Sequence, residues 1–188
     1  PASPSNPICF LDIATNSEPI GRISLELFAD ECPRTAENFR SLCTGEHINE
    51  NGHRLHYKSS PFHAVYPGWA LVGGDIVNRN GTSGESIYGP YFDDESFQIE
   101  HNRAGLLSMM NFKNNTNNSQ FVISLSPAPS MDNQNVAFGQ VIQGFDVLDK
   151  IQRFGSSLSG ETSVEIIVAD CGQLSSESGV ALRPSAMA

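Results

Sequence analysis

The chain has 188 residues and carries 11 Lys and Arg against 21 Asp and Glu, a formal net charge of −10. This acidic balance argues against nucleic acid as a partner, because proteins bind phosphate backbones mainly through Lys and Arg. It also argues against an anionic membrane surface, and no apolar run approaches the roughly 18 residues of a membrane span. We therefore expect one monomeric globular domain with short tails.

The first ten residues, PASPSNPICF, contain no basic stretch followed by an apolar core, so no signal peptide is expected. The chain does not begin with methionine, and we expect a processed protein or a module of a larger one. Four widely spaced cysteines (Cys9, Cys32, Cys43 and Cys171) form no C-x-x-C pair, which argues against a metal site or a disulfide framework. Reduced thiols in an intracellular protein, without a cofactor, are the expected state.

Two strand patterns come first in the chain. Residues 8–13 form a short apolar run that ends at the turn residues of TNSEP. In the following GRISLELF, Ile23, Leu25 and Leu27 alternate with polar residues. Strict alternation is typical of a half-buried strand, and the two segments together predict a β-hairpin.

The segment CPRTAENFRSLCTG changes to a helical period. Pro33 suits the first turn of a helix and Gly45 can close it in the left-handed conformation, which predicts a helix near residues 33–43. The pattern FDVLDKIQRFG predicts a second helix near residues 145–153, ending before Gly155.

Further short strands are predicted at FHAVY, WALVG, GLLSMM, QFVISLS, VAFGQVI and EIIVADCGQL. Many short strands with only two helices indicate a mainly β fold, a closed antiparallel barrel whose ends the helices cap. The predicted organisation is an N-terminal extension over residues 1–7, one domain over 8–174 and a flexible tail over 175–188.

Motifs spread along the chain identify a family. The segments GRISLELF, PRTAENFRSLCTGE, FHxxxPG, GGD, NGTxGxSIYG, NTNxSQFxI and ADCGQL resemble the cyclophilins, and the resemblance runs from Ile8 to Leu174. It implies an eight-stranded β-barrel with two capping helices. It also implies the activity of that family, which is prolyl cis–trans isomerisation on proline-containing segments of other proteins.

The resemblance implies a peptide-binding groove, but it places altered residues in it. The family pattern FHRxxPxFMxQGGD has an Arg, closely tied to rate, where this chain has Ala64, and a supporting Gln where it has Val72. The groove predicted by family position consists of Ala64, Trp69, Ala70, Val72, Gly81, Met110, Asn111, Phe112, Gln120, Val122, Met131 and Asn135. No residue is assigned a catalytic role.

Three functions remain open at this point. The first is a protein- or peptide-binding module with little or no isomerase activity. The alternative is a slow but genuine isomerase in which the remaining groove residues compensate for the lost Arg. A purely structural domain in a larger assembly is a third. Cyclosporin-type macrocycles are expected to bind weakly or not at all, because Ser130 and Val122 replace larger family residues.

Other interpretations concern single residues. His63 is expected to be a hydrogen-bonded core histidine, and Trp69 either fills the barrel or lines the groove.

The loop HINENGHRLHYK resembles a cyclophilin subset with a redox-sensitive element, whose positions match Cys43, Cys171 and Glu85. Two separate reduced thiols are the favoured interpretation. His53 and His56, in the same loop, lack an evident third ligand for a metal.

Overall fold

The computed structural model describes residues 6–16, 18–175 and 181–182. Helix α1 spans Pro33–Thr44 and α2 spans Phe145–Gln152, so both predicted helices are present. The strands are β1 Ile8–Thr15, β2 Glu18–Leu27, β3 Ala64–Tyr66, β4 Ala70–Gly73, β5 Leu106–Met109, β6 Phe121–Ser124, β7 Ala137–Gln143, β8 Ile166–Leu174 and β9 Ala181–Leu182. The prediction of a mainly β fold with two helices is confirmed.

The strands form one antiparallel sheet in the order β3-β4-β6-β5-β7-β2-β1-β8-β9. The first eight correspond to predicted strands, and β1 and β2 pair as the expected hairpin. Strand β9 was not predicted. It lies in the tail predicted over 175–188, most of which is outside the described residues, as is most of the extension predicted over 1–7.

The predicted closure of the barrel is wrong, because the sheet curls into an open half-barrel. The segment before β3 meets β8 only over a short stretch, at an isolated bridge between Pro61 and Ile167. Three backbone hydrogen bonds support it, from Ser59 N to Val168 O (2.7 Å), from Val168 N to Ser60 O (2.9 Å) and from Phe62 N to Ile166 O (2.8 Å). This pairing does not continue along β3 itself. The outer edge of β3 is instead covered by a loop, since Val65 donates its N–H to Gly160 O (2.8 Å) and accepts from Ser156 N (3.1 Å).

Helix α1 is positioned by a residue far along the chain. Pro33 occupies its first turn and Gly45 (φ 72°) ends it, but the helix has no side-chain cap of its own at the N-terminus. Glu95 supplies that cap, accepting the backbone N–H groups of Arg34 (2.9 Å) and Thr35 (2.8 Å). These are N–H groups that a helix cannot pair internally. Neither helix of the described chain is long and apolar enough to cross a membrane.

An aromatic cluster fills the concave side of the sheet. Phe39 of α1 lies 5.1 Å from the ring of Tyr57, 5.4 Å from that of Phe121 and 5.5 Å from that of Phe138. Phe62 joins the cluster edge-on to Phe121 at 5.7 Å. All five rings are buried, and they attach α1 to the strands that carry the site described below.

We predict that Phe39→Ala lowers the free energy of unfolding by about 3–5 kcal/mol, because it leaves a cavity among these rings. Urea denaturation followed by circular dichroism measures the loss. Leu158→Ala is the matched control, since Leu158 is 96% exposed and its truncation should change stability by less than about 0.5 kcal/mol. A loss below about 1 kcal/mol for Phe39→Ala would contradict the role of this cluster.

Candidate functional site

Three neighbouring strands place small apolar side chains in one row on the convex face of the sheet. Ala64 of β3 lies opposite Val72 of β4, and Val72 lies opposite Val122 of β6. Residues opposed across antiparallel strands share a face, and Ala70, two positions from Val72, shares it too. We call these four residues the floor. Ala70, Val72 and Val122 are only 2%, 5% and 3% exposed, and no floor side chain has a hydrogen-bond donor.

Larger apolar side chains stand over the floor and reach solvent. Tyr66, Met110 and Met131 pack directly on it. Trp69 and Phe112 are 47% and 56% exposed, and the Trp69 ring meets Tyr66 edge-on at 5.1 Å. We call these five residues the collar. Floor and collar line an open groove of about 520 Å³.

The structure brings together most of the site predicted from the sequence. Eleven of the twelve residues line this groove, and Gln120 does not. Gln120 is 1% exposed and lies beneath one wall, where its Nε2 donates to Gly81 O (2.9 Å) and Ser83 O (2.6 Å). Its place in the fold is therefore to hold the wall. The groove is also lined by seven residues that were not among those predicted for it, His63, Tyr66, Asn80, Thr82, Lys113, Asn114 and Gln134.

The first wall is the loop over residues 75–83, and Asp75 organises it. Its carboxylate accepts the backbone N–H groups of Val77, Asn78, Asn80, Gly81 and Ser83 at 2.9–3.2 Å. Burial acts to raise the pKa of the Asp75 carboxyl, but these donors outweigh burial and hold the pKa below its usual value. The loop is thus built around an ionised carboxylate.

His63 packs against this wall, and the structure corrects its predicted role. Its Nδ1 is buried and has no hydrogen-bond partner among the described residues, so it is not the hydrogen-bonded core histidine that was expected. Burial lowers the pKa of its ring, and Asp75 opposes that shift, so the imidazole is neutral at pH 7. A Cβ on Gly81 (φ 89°) would lie 2.5 Å from this ring, which explains the glycine.

The second wall runs from a single 3-10 turn, Pro129–Met131, to Asn135, and Asp132 anchors it. Asp132 accepts from the backbone N–H of His101 (2.7 Å) and from the His101 ring at Nδ1 (2.9 Å). The other ring nitrogen of His101 lies 2.7 Å from the Ser108 hydroxyl on β5. This Ser–His–Asp chain has the residue types of a hydrolytic triad, but Ser108 and His101 are both 1% exposed. Its effect is to attach the wall to the sheet.

Two asparagines join this wall to the end of β5. Asn111 Nδ2 donates to Gln134 O (3.2 Å), and Asn135 Nδ2 donates to Met109 O (3.1 Å). Each of these side-chain amides therefore has one of its two N–H groups engaged with a backbone carbonyl. The backbone N–H and C=O of Asn111 have no hydrogen-bond partner among the described residues.

A model of the family described as cyclophilin type peptidyl-prolyl cis-trans isomerase/CLD matches residues 10–173. The chain belongs to this family. The resemblance inferred from the motifs is confirmed over nearly the whole chain. Within a cyclophilin, the groove lined by Ala64 and Asn111 is the one in which the family resemblance places substrate, and here its floor carries no side-chain donor.

None of the four cysteines lines the groove, and neither do Glu85 and His56. All four cysteines are free and buried. Burial raises the pKa of Cys43 well above its usual value and that of Cys171 to about 12, which disfavours the thiolate needed for exchange. Glu85 accepts from Asn49 Nδ2 at 3.2 Å. His56 Nε2 lies 3.1 Å from Cys43 O, and the described residues contain no cluster of three metal ligands.

The predicted absence of a Cys43–Cys171 disulfide can be tested directly. We expect protein purified under mild reducing conditions, then unfolded without reductant, to show four titratable thiols, because burial and raised pKa values oppose oxidation. Finding only two, with a cross-linked peptide joining Cys43 and Cys171, would contradict this expectation.

The Asp132 anchor predicts a pH dependence of stability. Its pKa is lowered by bonds from the His101 backbone and ring, so its stabilisation is present above the unfolded pKa of about 4 and lost as pH falls through the lower folded value. Asp132→Asn should therefore be less stable than wild type at pH 7. The difference between their free energies of unfolding, called the gap below, should close as the pH falls below 4.

Urea denaturation at pH 7 and pH 3 measures this gap. Asp93→Asn is the control, because Asp93 is exposed and its side chain has no hydrogen bond or ion pair with a described residue, and it should change stability little at either pH. A stability difference for Asp132→Asn that is equal at pH 7 and pH 3 would show that the carboxylate charge does not hold the wall.

Proposed function

We propose that this cyclophilin domain binds extended peptide segments in its groove and has little or no prolyl isomerase activity. The observation that carries the proposal is the floor, where Ala64, Val72 and Val122 occupy three opposed positions and none can donate a hydrogen bond.

Isomerisation needs more than an apolar surface. The X-Pro bond rotates over a barrier of roughly 20 kcal/mol, and a catalyst must favour the twisted state in which the imide nitrogen becomes pyramidal. A donor held beside that nitrogen favours this state, and the family places its Arg at the position of Ala64. Losing one preorganised donor of this kind costs roughly 10²–10³-fold in rate, about 3–4 kcal/mol.

No described side chain on the floor takes the place of that donor. The side-chain amides of Asn111 and Asn135 each donate one N–H to a backbone carbonyl, Gln134 O of the second wall and Met109 O of β5. Lys113 is the one Lys or Arg among the described lining residues, and it lies on the turn after β5, outside the floor. Its flexible side chain is not held by an ion pair in the described part of the chain, so it is not preorganised.

Binding has separate support in the same groove. The exposed Trp69 and Phe112 side chains offer apolar area that a ligand can remove from water, at about 25 cal/mol per Å². The unpaired backbone N–H and C=O of Asn111 can pair with an extended ligand strand, as in recognition by strand addition. Weak or absent cyclosporin binding is part of the same proposal.

A slow isomerase is the second candidate. It is favoured by the intact first wall, in which Asp75 and Gln120 hold Gly81 from both sides, and by the free Asn111 backbone. Both candidates predict peptide binding, and they differ in turnover.

We predict that wild-type isomerase activity on a standard Xaa-Pro peptide is near background in a protease-free exchange assay. Ala64→Arg alone should recover little, because Val72 opposite it cannot orient a guanidinium. The set Ala64→Arg, Val72→Gln, Val122→Phe and Asn135→His should recover more than the single changes combined, since residues acting as a unit are not additive.

Leu158→Ala is the control for effects of substitution as such, because Leu158 is exposed and does not line the groove. Wild-type turnover within about tenfold of an active family member, about 1.4 kcal/mol in barrier, would contradict the proposal and favour the slow isomerase.

A further inference from the structure

We propose that the groove selects a segment anchored by an aromatic side chain, in place of a proline, with a carboxylate beside the anchor that meets Lys113. This inference rests on the proposed function, because it names the ligand of the same groove. It is carried by the composition of the collar and by the distribution of charge around it.

The surface that a ligand touches is the collar and hardly the floor. The floor residues Ala70, Val72 and Val122 are almost inaccessible because Tyr66 and Met110, with Met131, pack over them. An entering side chain therefore meets two thioethers and three aromatic rings. Methionine side chains adjust their shape, and their sulfur makes favourable contacts with aromatic rings. An aromatic ligand side chain buries about 150–250 Å² and can also meet Trp69 or Phe112 edge-on.

A proline is a poor match for this surface. Its small ring offers little area, and a rigid slot that fits it closely must compensate for that. Here the solvent-facing positions are held by the flexible Met110 and Met131, while Trp69 and Phe112 are half exposed. The groove volume of about 520 Å³ accommodates a larger side chain than proline.

The charge around the groove is the second observation, and it supports the carboxylate of the proposed ligand. The chain has a net charge of −10, yet none of the described groove-lining residues is Asp or Glu. Lys113 lines the groove and its ammonium group makes no ion pair with a described residue. Because the Debye length is about 8 Å at physiological salt, distant carboxylates are screened and the local cation favours a negatively charged neighbour of the anchor.

Titration of three capped peptides into the full chain tests the proposal. Each is a hexapeptide of Gly and Ser with a central pair, either Glu-Phe, Glu-Pro or Lys-Phe. Trp69 is the only tryptophan, so its fluorescence reports occupation of the groove, and calorimetry gives the dissociation constants. The Glu-Phe peptide should bind at least about tenfold more tightly than Glu-Pro, and Lys-Phe about two- to fivefold more weakly than Glu-Phe.

Substitutions in and beside the collar test whether these residues bind the aromatic anchor and its carboxylate neighbour. Phe112→Ala should weaken the Glu-Phe peptide by about tenfold, and Met131→Ala should act in the same direction if Phe112→Ala fails to fold. Lys113→Gln should remove the difference between Glu-Phe and Lys-Phe. Leu158→Ala, far from the collar, should change none of these affinities.

The outcomes separate the inference from the proposed function. Equal or tighter binding of the Glu-Pro peptide would overturn the aromatic anchor while leaving peptide binding intact. Equal affinity of the Glu-Phe and Lys-Phe peptides would overturn the proposed contact between Lys113 and a ligand carboxylate. If none of the three peptides changes the fluorescence of Trp69, both this inference and the proposed peptide binding are wrong.

Discussion

The antiparallel pairing of β4 with β3 and β6 is the constraint on which the groove depends. Because side chains alternate across a strand, this register places Ala64, Val72 and Val122 together on one face. The same pairing places Val65, Leu71 and Ile123 opposite one another on the other face, where all three are fully buried. The floor therefore cannot shift without disturbing the core.

The walls are fixed by a second kind of interaction. Asp75 accepts backbone N–H groups of the first wall, and Asp132 ties the second wall to the backbone N–H of His101. Gln120 donates from below to the carbonyl oxygens of Gly81 and Ser83. None of these side chains is on the floor. The walls of the groove are thus held by polar side chains, while the floor between them is wholly apolar. The proposed function rests on this combination of polar walls and a floor without a side-chain donor.

The sequence predicted the helices well because their signals are local. Pro33, Gly45 and the spacing of apolar residues define α1 without knowledge of the rest of the chain. It predicted the groove because the family motifs fix positions residue by residue. The open sheet was missed because the segments that meet at its two ends, around Pro61 and Ile167, lie 106 positions apart, and the pattern of a short strand does not show which edge it pairs with.

The supports of the groove were missed for a related reason. His101 lies 31 positions from Asp132 and seven from Ser108, and no local pattern marks the three as one hydrogen-bonded chain. His63 was expected to find a partner in the core, yet its Nδ1 has none among the described residues. Its surroundings depend on how the loop over residues 75–83 folds back, which the sequence does not display. The role of Gln120 as a support, away from the groove surface, has the same origin.

The measurement that tests the account most directly uses a capped peptide containing Glu-Phe-Pro and nuclear magnetic resonance of both partners. The indole N–H signal of Trp69 reports binding in the groove, and exchange between the cis and trans signals of the peptide reports isomerisation. The account predicts a saturable shift of the Trp69 signal with no increase in the exchange rate. Accelerated exchange, or an unmoved Trp69 signal in the presence of bound peptide, would contradict it.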